Sequence, residues 1–163
     1  MNRIKTESRE IQFVFPEEVL LSSEQIHQLA EASYSNGSPW TAENFSTDLE
    51  APFVGYGFAI KHQKAIGFIG YHHFLGEAEI TNFGVDHAYK NQGIGSQFLG
   101  ACLNHLSENG MEQLFLEVRS SNKAAIAVYQ KLDFEKVAVR KAYYRNPVED
   151  AQVMRYSKLV NGD

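Results

Sequence analysis

Lys90-Asn91-Gln92-Gly93-Ile94-Gly95 follows the apolar run Ile80-Thr81-Asn82-Phe83-Gly84-Val85 and precedes a segment with helical apolar spacing. A strand running through a glycine turn into a helix start gathers backbone N–H groups at one point. It also aims the positive end of a helix dipole, roughly half a charge, at the same point. Gly93 and Gly95 carry no side chains, so a ligand can approach that backbone closely. A phosphate or pyrophosphate suits such a turn, although a plain tight turn before a helix uses the same residues. A Walker-A loop is excluded, because no Gly-Lys-Ser/Thr follows a four-residue spacer. A dinucleotide fingerprint is excluded by Phe98, which stands where a third small residue is needed.

The second chemical feature is a carboxylate inside an apolar strand. In Leu114-Phe115-Leu116-Glu117-Val118-Arg119, strand alternation puts Phe115, Glu117 and Arg119 on one face and the aliphatic residues on the other. A glutamate so placed needs a partner, and burial raises its pKa toward the range of a working base. A Glu117–Arg119 ion pair beside the core is the purely structural alternative. Tyr129 has one as well, an aromatic ring packed on a helix with its hydroxyl in water.

These groups require elements to hold them. Ile11 to Phe15 reads as a strand. Ser22 to Gln25 reads as a capping box that opens a helix with Ile26, Leu29 and Ala30 on one side. Residues 35–39 form a loop, and Thr41 caps a second helix containing Phe45 and Leu49. Val54 to Lys61 and Ala65 to Phe74 form a hairpin around His62-Gln63-Lys64, and Glu79 to Val85 is the next strand. Ile94, Phe98, Leu99, Cys102, Leu103 and Leu106 mark the helix after the glycine turn. Leu114 to Val118 is a strand, Asn122 caps a helix through Lys131, and Val137 to Arg140 and Val153 to Tyr156 close the chain. The result is an α+β (mixed α/β) domain with one central sheet, expected to span residues 1–163.

Composition narrows the function. A net charge of −5 over 163 residues argues against general nucleic-acid binding and suits a basic protein or peptide partner, although an acidic balance is also common in enzymes with no such partner. The single cysteine, Cys102, excludes an internal disulfide and fits a reducing cytoplasm. It sits on an apolar helix face, where core packing explains it. No apolar run reaches membrane-spanning length, and Met1-Asn2-Arg3-Ile4-Lys5 opens no signal-peptide core. No metal is expected: His72 and His73 are adjacent on a strand, and the other histidines have no ligand spacing.

Read in order, Asn82 to Val85, Gln92 to Gly95, Leu116 to Arg119, Ser121-Asn122 and Tyr129 to Phe134 resemble the GNAT acyltransferase superfamily. Pro39-Trp40, Val118 to Asn122, Ala124 to Tyr129, Arg140 to Tyr144 and Glu149 to Ala151 are similar to its RimI branch, and the likeness spans roughly Tyr34 to Ser157. That branch acetylates the N-terminal alanine of a small-subunit ribosomal protein.

The resemblance implies a mostly antiparallel sheet whose one parallel strand pair splays to bind acetyl-CoA, with helices on both faces. It implies Glu117 as general base, drawing a proton from the amine through water, and Tyr129 as general acid toward the departing thiolate. Phe83, Gly84 and Val85 would pair with the cofactor arm, Asn91, Gln92, Gly93, Ile94, Gly95 and Ser96 would cradle the phosphates, and Asn122 would bind the arm. Tyr143 and Tyr144 would wall a peptide slot, with Glu149 and Asp150 attracting a basic peptide. A solvated hairpin loop is the alternative for those four.

An N-terminal amine, with a pKa of about 7.7–8.0, is roughly a fifth to a third free near neutral pH, against about a thousandth for lysine. One glutamate working through water therefore suits an N-terminus better. Another amine (lysine, polyamine or aminoglycoside) and a non-catalytic CoA-binding module remain alternatives. The chain departs from the superfamily pattern at Lys90 and Asn91, where an arginine is common, and at Asp133, which replaces a glycine at a helix end. Aspartate tolerates the left-handed conformation that such an end requires.

Overall fold

The computed structural model describes residues 10–158, so the Met1–Lys5 reading lies outside the described residues. In chain order the elements are β1 (Gln12–Val14), α1 (Ser23–Ser33), α2 (Ala42–Glu50), β2 (Val54–Lys61), β3 (Lys64–Phe74) and β4 (Glu77–Val85). A short 3-10 turn (His87–Tyr89) leads to α3 (Ile94–Glu108), β5 (Gln113–Arg119), α4 (Lys123–Lys131), β6 (Glu135–Tyr144) and β7 (Glu149–Ser157). The 3-10 turn has no sequence expectation behind it; Asp86 starts it by accepting from the Ala88 N–H at 2.9 Å.

Local chemistry accounts for the boundaries. Ser22 and Thr41 each complete a reciprocal capping box, with Gln25 and Asn44 respectively. Each cap is worth on the order of 1 kcal/mol. His62 and Gln63 both have positive φ, 50° and 63°, so they make a two-residue turn and Lys64 already lies in β3. That twist matches the strands it joins. Asp133 adopts φ 69° just past α4, the left-handed conformation expected of it.

The seven strands form one sheet in the order β1-β2-β3-β4-β5-β7-β6. Every neighbouring pair is antiparallel except β4 and β5, which are parallel. Their register runs only from Glu77↔Gln113 to Glu79↔Phe115. Beyond it the strands part, because β4 carries a bulge: Ile80 faces Tyr71 and Asn82 faces Gly70, leaving Thr81 as the extra residue. A bulge bends its strand and ends regular pairing.

Helices cover both faces, as the sequence implied. On one face Phe98, Leu99, Cys102 and Leu106 of α3 and Ile126 of α4 pack on Ile69, Ile80, Leu114, Leu116 and Met154. On the other, Ile26, Leu29 and Ala30 of α1 and Phe45 of α2 pack on Tyr56, Phe58 and Phe68. Gly84 lets α1 sit close, since a Cβ there would lie 2.6 Å from the Ser33 Cβ.

Candidate active site

The fork between β4 and β5 brings the two chemical features of the sequence together. Its first wall is the helix start. Asn91 and Gly93 alternate positive φ values of 63° and 77° with ordinary ones, which turns successive N–H groups inward as an anion-binding nest. α1 and α2 are capped by side chains, whereas α3 begins at Gly93 with no side-chain cap and no acidic residue in its first turn. Its first N–H groups therefore remain to be satisfied by something outside the helix. A Cβ at Gly93 would meet nothing within 4 Å, and one at Gly95 only the edge of Phe83 at 3.8 Å. Asn91 and Gln92 are exposed, and Ser96 is half-buried in the first turn. An open, positively polarised backbone cradle of this kind fits a pyrophosphate.

The second wall is Glu117 on β5. Alternation holds, with Leu114, Leu116 and Val118 buried against the α3 face and Glu117 on the opposite one. Glu117 does not pair with Arg119. Arg140 Nε of β6 lies 2.8 Å from Glu117 Oε2, and Tyr143 donates to Oε1 at 3.4 Å. The Glu117 side chain is 18% exposed. Burial raises its pKa above the usual carboxylate range, Arg140 opposes this, Glu79 adds to it, and Tyr143 opposes it. A cavity of about 340 Å³ opens beside it, lined by His72, Glu79, Phe115, Glu117, Arg140 and Val153 among others. His72 Nε2 is 2.7 Å from Oδ1 of buried Asp48, whose Oδ2 accepts from the Tyr56 hydroxyl at 2.6 Å.

Arg119 has a different task. It donates to the carbonyls of Arg145 and Pro147, each at 3.0 Å, pairs with Glu149 at 3.3 Å, and lies 4.5 Å over the Tyr144 ring. It thus fastens the β6–β7 loop to β5.

The remaining sequence candidates divide. Tyr129, on α4, packs on Phe134, and burial pushes its phenol well above the ordinary range, with Tyr34 and Tyr144 adding to the shift. Asn122 spends its side-chain oxygen on the α4 cap, accepting from the Ala125 N–H at 3.2 Å. Phe83 and Val85 face the α3 side and Gly84 the α1 side. Tyr143 and Tyr144 stand at the end of β6, Tyr143 against Glu117 and Tyr144 under Arg119. Glu149 and Asp150 are engaged within the protein. Glu149 accepts from the Ser121 N–H at 2.6 Å, and Asp150 from the Ala142 N–H at 2.8 Å while pairing with Lys141. Any attraction for a basic peptide would compete with these bonds.

One array was absent from the sequence reading. Tyr34, just past the end of α1, accepts from the Phe83 N–H at 3.0 Å and meets Oδ1 of Asn82 at 3.0 Å. Burial pushes its phenol up to about 12. No local signal marks it, because the partners are 48 and 49 residues apart.

The acetyltransferase (GNAT) family model matches residues 23–134. The ribosomal protein bS18-alanine N-acetyltransferase of Escherichia coli K12 is 33% identical over 118 residues, 71% of this chain and 79% of that protein. The N-alpha-acetyltransferase RimI of Mycobacterium tuberculosis is 35% identical over 122 residues, 72% of this chain and 75% of that one. Among solved structures, the ribosomal-protein-S18-alanine N-acetyltransferase from Escherichia coli superposes with a TM-score of 0.81 at 27% identity, covering 91% of this chain and 94% of that one. Arabidopsis thaliana NAA60 in complex with acetyl-CoA shares the fold at a TM-score of 0.74 and 16% identity, over 91% of this chain and 98% of that one.

Proposed function

Because the chain belongs to the GNAT acetyltransferase family, we propose that it transfers acetyl from acetyl-CoA to a protein N-terminal α-amine, the acceptor being the N-terminal alanine of a small-subunit ribosomal protein. The observation that carries this reading is a half-buried carboxylate, Glu117, standing where β4 and β5 part. The names of the bacterial relatives point to the same acceptor.

Acetyl-CoA would supply the activated acetyl group; the backbone from Asn91 to Ser96 would hold its phosphates, and Phe83 to Val85 with Asn122 would hold its arm. The protein's own residues do the rest. Glu117, whose pKa burial raises, accepts in its carboxylate form a proton from the amine through water, and correct reach together with a matched pKa makes such a base worth about 10²–10⁴-fold. Arg140 and Tyr143 hold the carboxylate in one orientation. Tyr129 keeps its proton on Oη across the whole neutral range, available to a leaving sulfur. Arg119 fixes the loop behind Tyr144 and so the far side of the acceptor slot.

The test is mass spectrometry of two peptides incubated with the protein and acetyl-CoA. One has a free N-terminal alanine; the other is blocked there and carries an internal lysine. Acetyl on the free alanine alone is the expected result. Acetyl on the lysine, or on neither peptide, would overturn the acceptor.

A further inference from the structure

The bulge in β4 gathers buried polar atoms that lack hydrogen bonds. Among the described residues, the buried side-chain atoms without a hydrogen-bond partner are Thr81 Oγ1, Asn82 Nδ2, Glu117 Oε2 and Arg155 Nε. Two belong to the bulge and a third, Glu117 Oε2, to the strand across the gap. That oxygen still has the Arg140 guanidinium 2.8 Å away as an ionic partner, whereas Asn82 Nδ2 has none. Asn82 is only 2% exposed.

The direction of its amide follows from its neighbours. A backbone N–H can only donate, so the Tyr34 oxygen is the acceptor of its 3.0 Å bond from Phe83. The single phenol proton is donated to Asn82, whose carbonyl oxygen Oδ1 stands 3.0 Å away. Nδ2 is consequently a buried donor with nothing to donate to. Asn82 lies beside Tyr34 on the α1 face of the sheet, while its neighbour Phe83 turns to the α3 face and packs on Phe98. Glu117 opens onto that same α1 face, its neighbours Leu116 and Val118 being buried against α3.

A donor and a base on one face match an acceptor that carries both an amine and, three bonds away, a carbonyl oxygen. The first residue of a peptide has this pair; a lysine side chain and a polyamine do not. We propose that Asn82 Nδ2 donates to the first carbonyl of the acceptor peptide, which makes Asn82 a determinant of α-amine over ε-amine specificity. Tyr34 is the positioning residue that sets the direction of the amide. The inference rests on the N-terminal acceptor reading.

The experiment compares the full chain with Asn82→Leu, which keeps the volume and removes the donor, and with Tyr34→Phe, which releases the amide without altering it. Each is assayed with acetyl-CoA and two acceptors: a peptide with a free N-terminal alanine, and the same peptide with its first amide replaced by a trans-alkene. The two amines differ in acidity, but that difference is common to all three proteins and cancels between them. Acetyl-CoA binding by calorimetry identifies folded variants, and Tyr34→Phe carries the comparison if Asn82→Leu does not fold. In the unsubstituted protein, kcat/KM should favour the peptide over the alkene by roughly tenfold more than in either variant. Equal ratios in an active unsubstituted protein and a folded variant overturn the role of Asn82 alone. No turnover of the peptide by the unsubstituted protein overturns the acceptor reading and this inference with it.

Discussion

At neutral pH Glu117 must be ionised to take a proton, and its surroundings hold it between two states. Burial and Glu79 favour the neutral acid, while Arg140 and Tyr143 favour the anion, with burial the largest influence. The Glu117→Gln protein should therefore lose on the order of 10²-fold in kcat at neutral pH, and lose less at high pH, where the acceptor amine is already free. A pH profile parallel to that of the unsubstituted protein would remove Glu117 from the base role. For Tyr129, the raised phenol pKa means that it stays protonated wherever the protein is assayed. Tyr129→Phe should thus retain acetyl-CoA binding in calorimetry and slow turnover about 10²-fold; full activity would make the ring a packing residue only. Both residues were legible in the sequence, one as a carboxylate in an apolar strand and the other through its place in a motif. Arg140 was legible only as part of a motif, not as the partner of Glu117. The pairing arises across β5, β7 and β6, and no local pattern encodes it.

Elements were read well wherever their cause is local. A capping box spans three residues, so Ser22–Gln25 and Thr41–Asn44 carry their own signal. The His62-Gln63 turn marks the limit of that reading. Its position was evident, but its length was not, because Gln63, unlike His62, is not a residue type enriched at positive φ. The double substitution His62→Asn with Gln63→Gly should relieve that strain and stabilise the protein by about 1 kcal/mol, read as a higher urea midpoint at unchanged m-value; a lower midpoint would show that the side chains contribute more than the backbone costs. Gly84 tests the packing of α1. With a Cβ set 2.6 Å from that of Ser33, Gly84→Ala must push α1 from the sheet, at a cost of roughly 1–3 kcal/mol. The same shift would disturb Tyr34, which leaves the helix one residue later, so acetyl-transfer specificity should suffer along with the melting temperature.

At the scale of the whole molecule, the Glu117 carboxylate should weaken the fold that holds it. The Glu117 pKa is raised in the folded protein, so folding favours its protonated form. That contribution is fully present below the unfolded value, about 4.3, and is lost as pH rises through the folded value. Glu149 and Asp150 have the opposite sign. The Ser121 hydrogen bond lowers the first and the Ala142 N–H lowers the second, so what they add is present at neutral pH and lost on acidification through their folded values. Near neutrality the β6–β7 loop is therefore held by its carboxylates, while the neighbouring Glu117 carboxylate, once ionised, carries a net cost that Arg140 does not cancel. Glu117→Gln, neutral and of the same shape, removes that cost. Urea unfolding of the two proteins at pH 8 and pH 4 should give a higher midpoint for the variant at pH 8, with the gap closing at pH 4. If the variant were instead the less stable at pH 8, the Arg140–Glu117 pair would outweigh the burial of the carboxylate, and Glu117 would serve the fold as well as the chemistry.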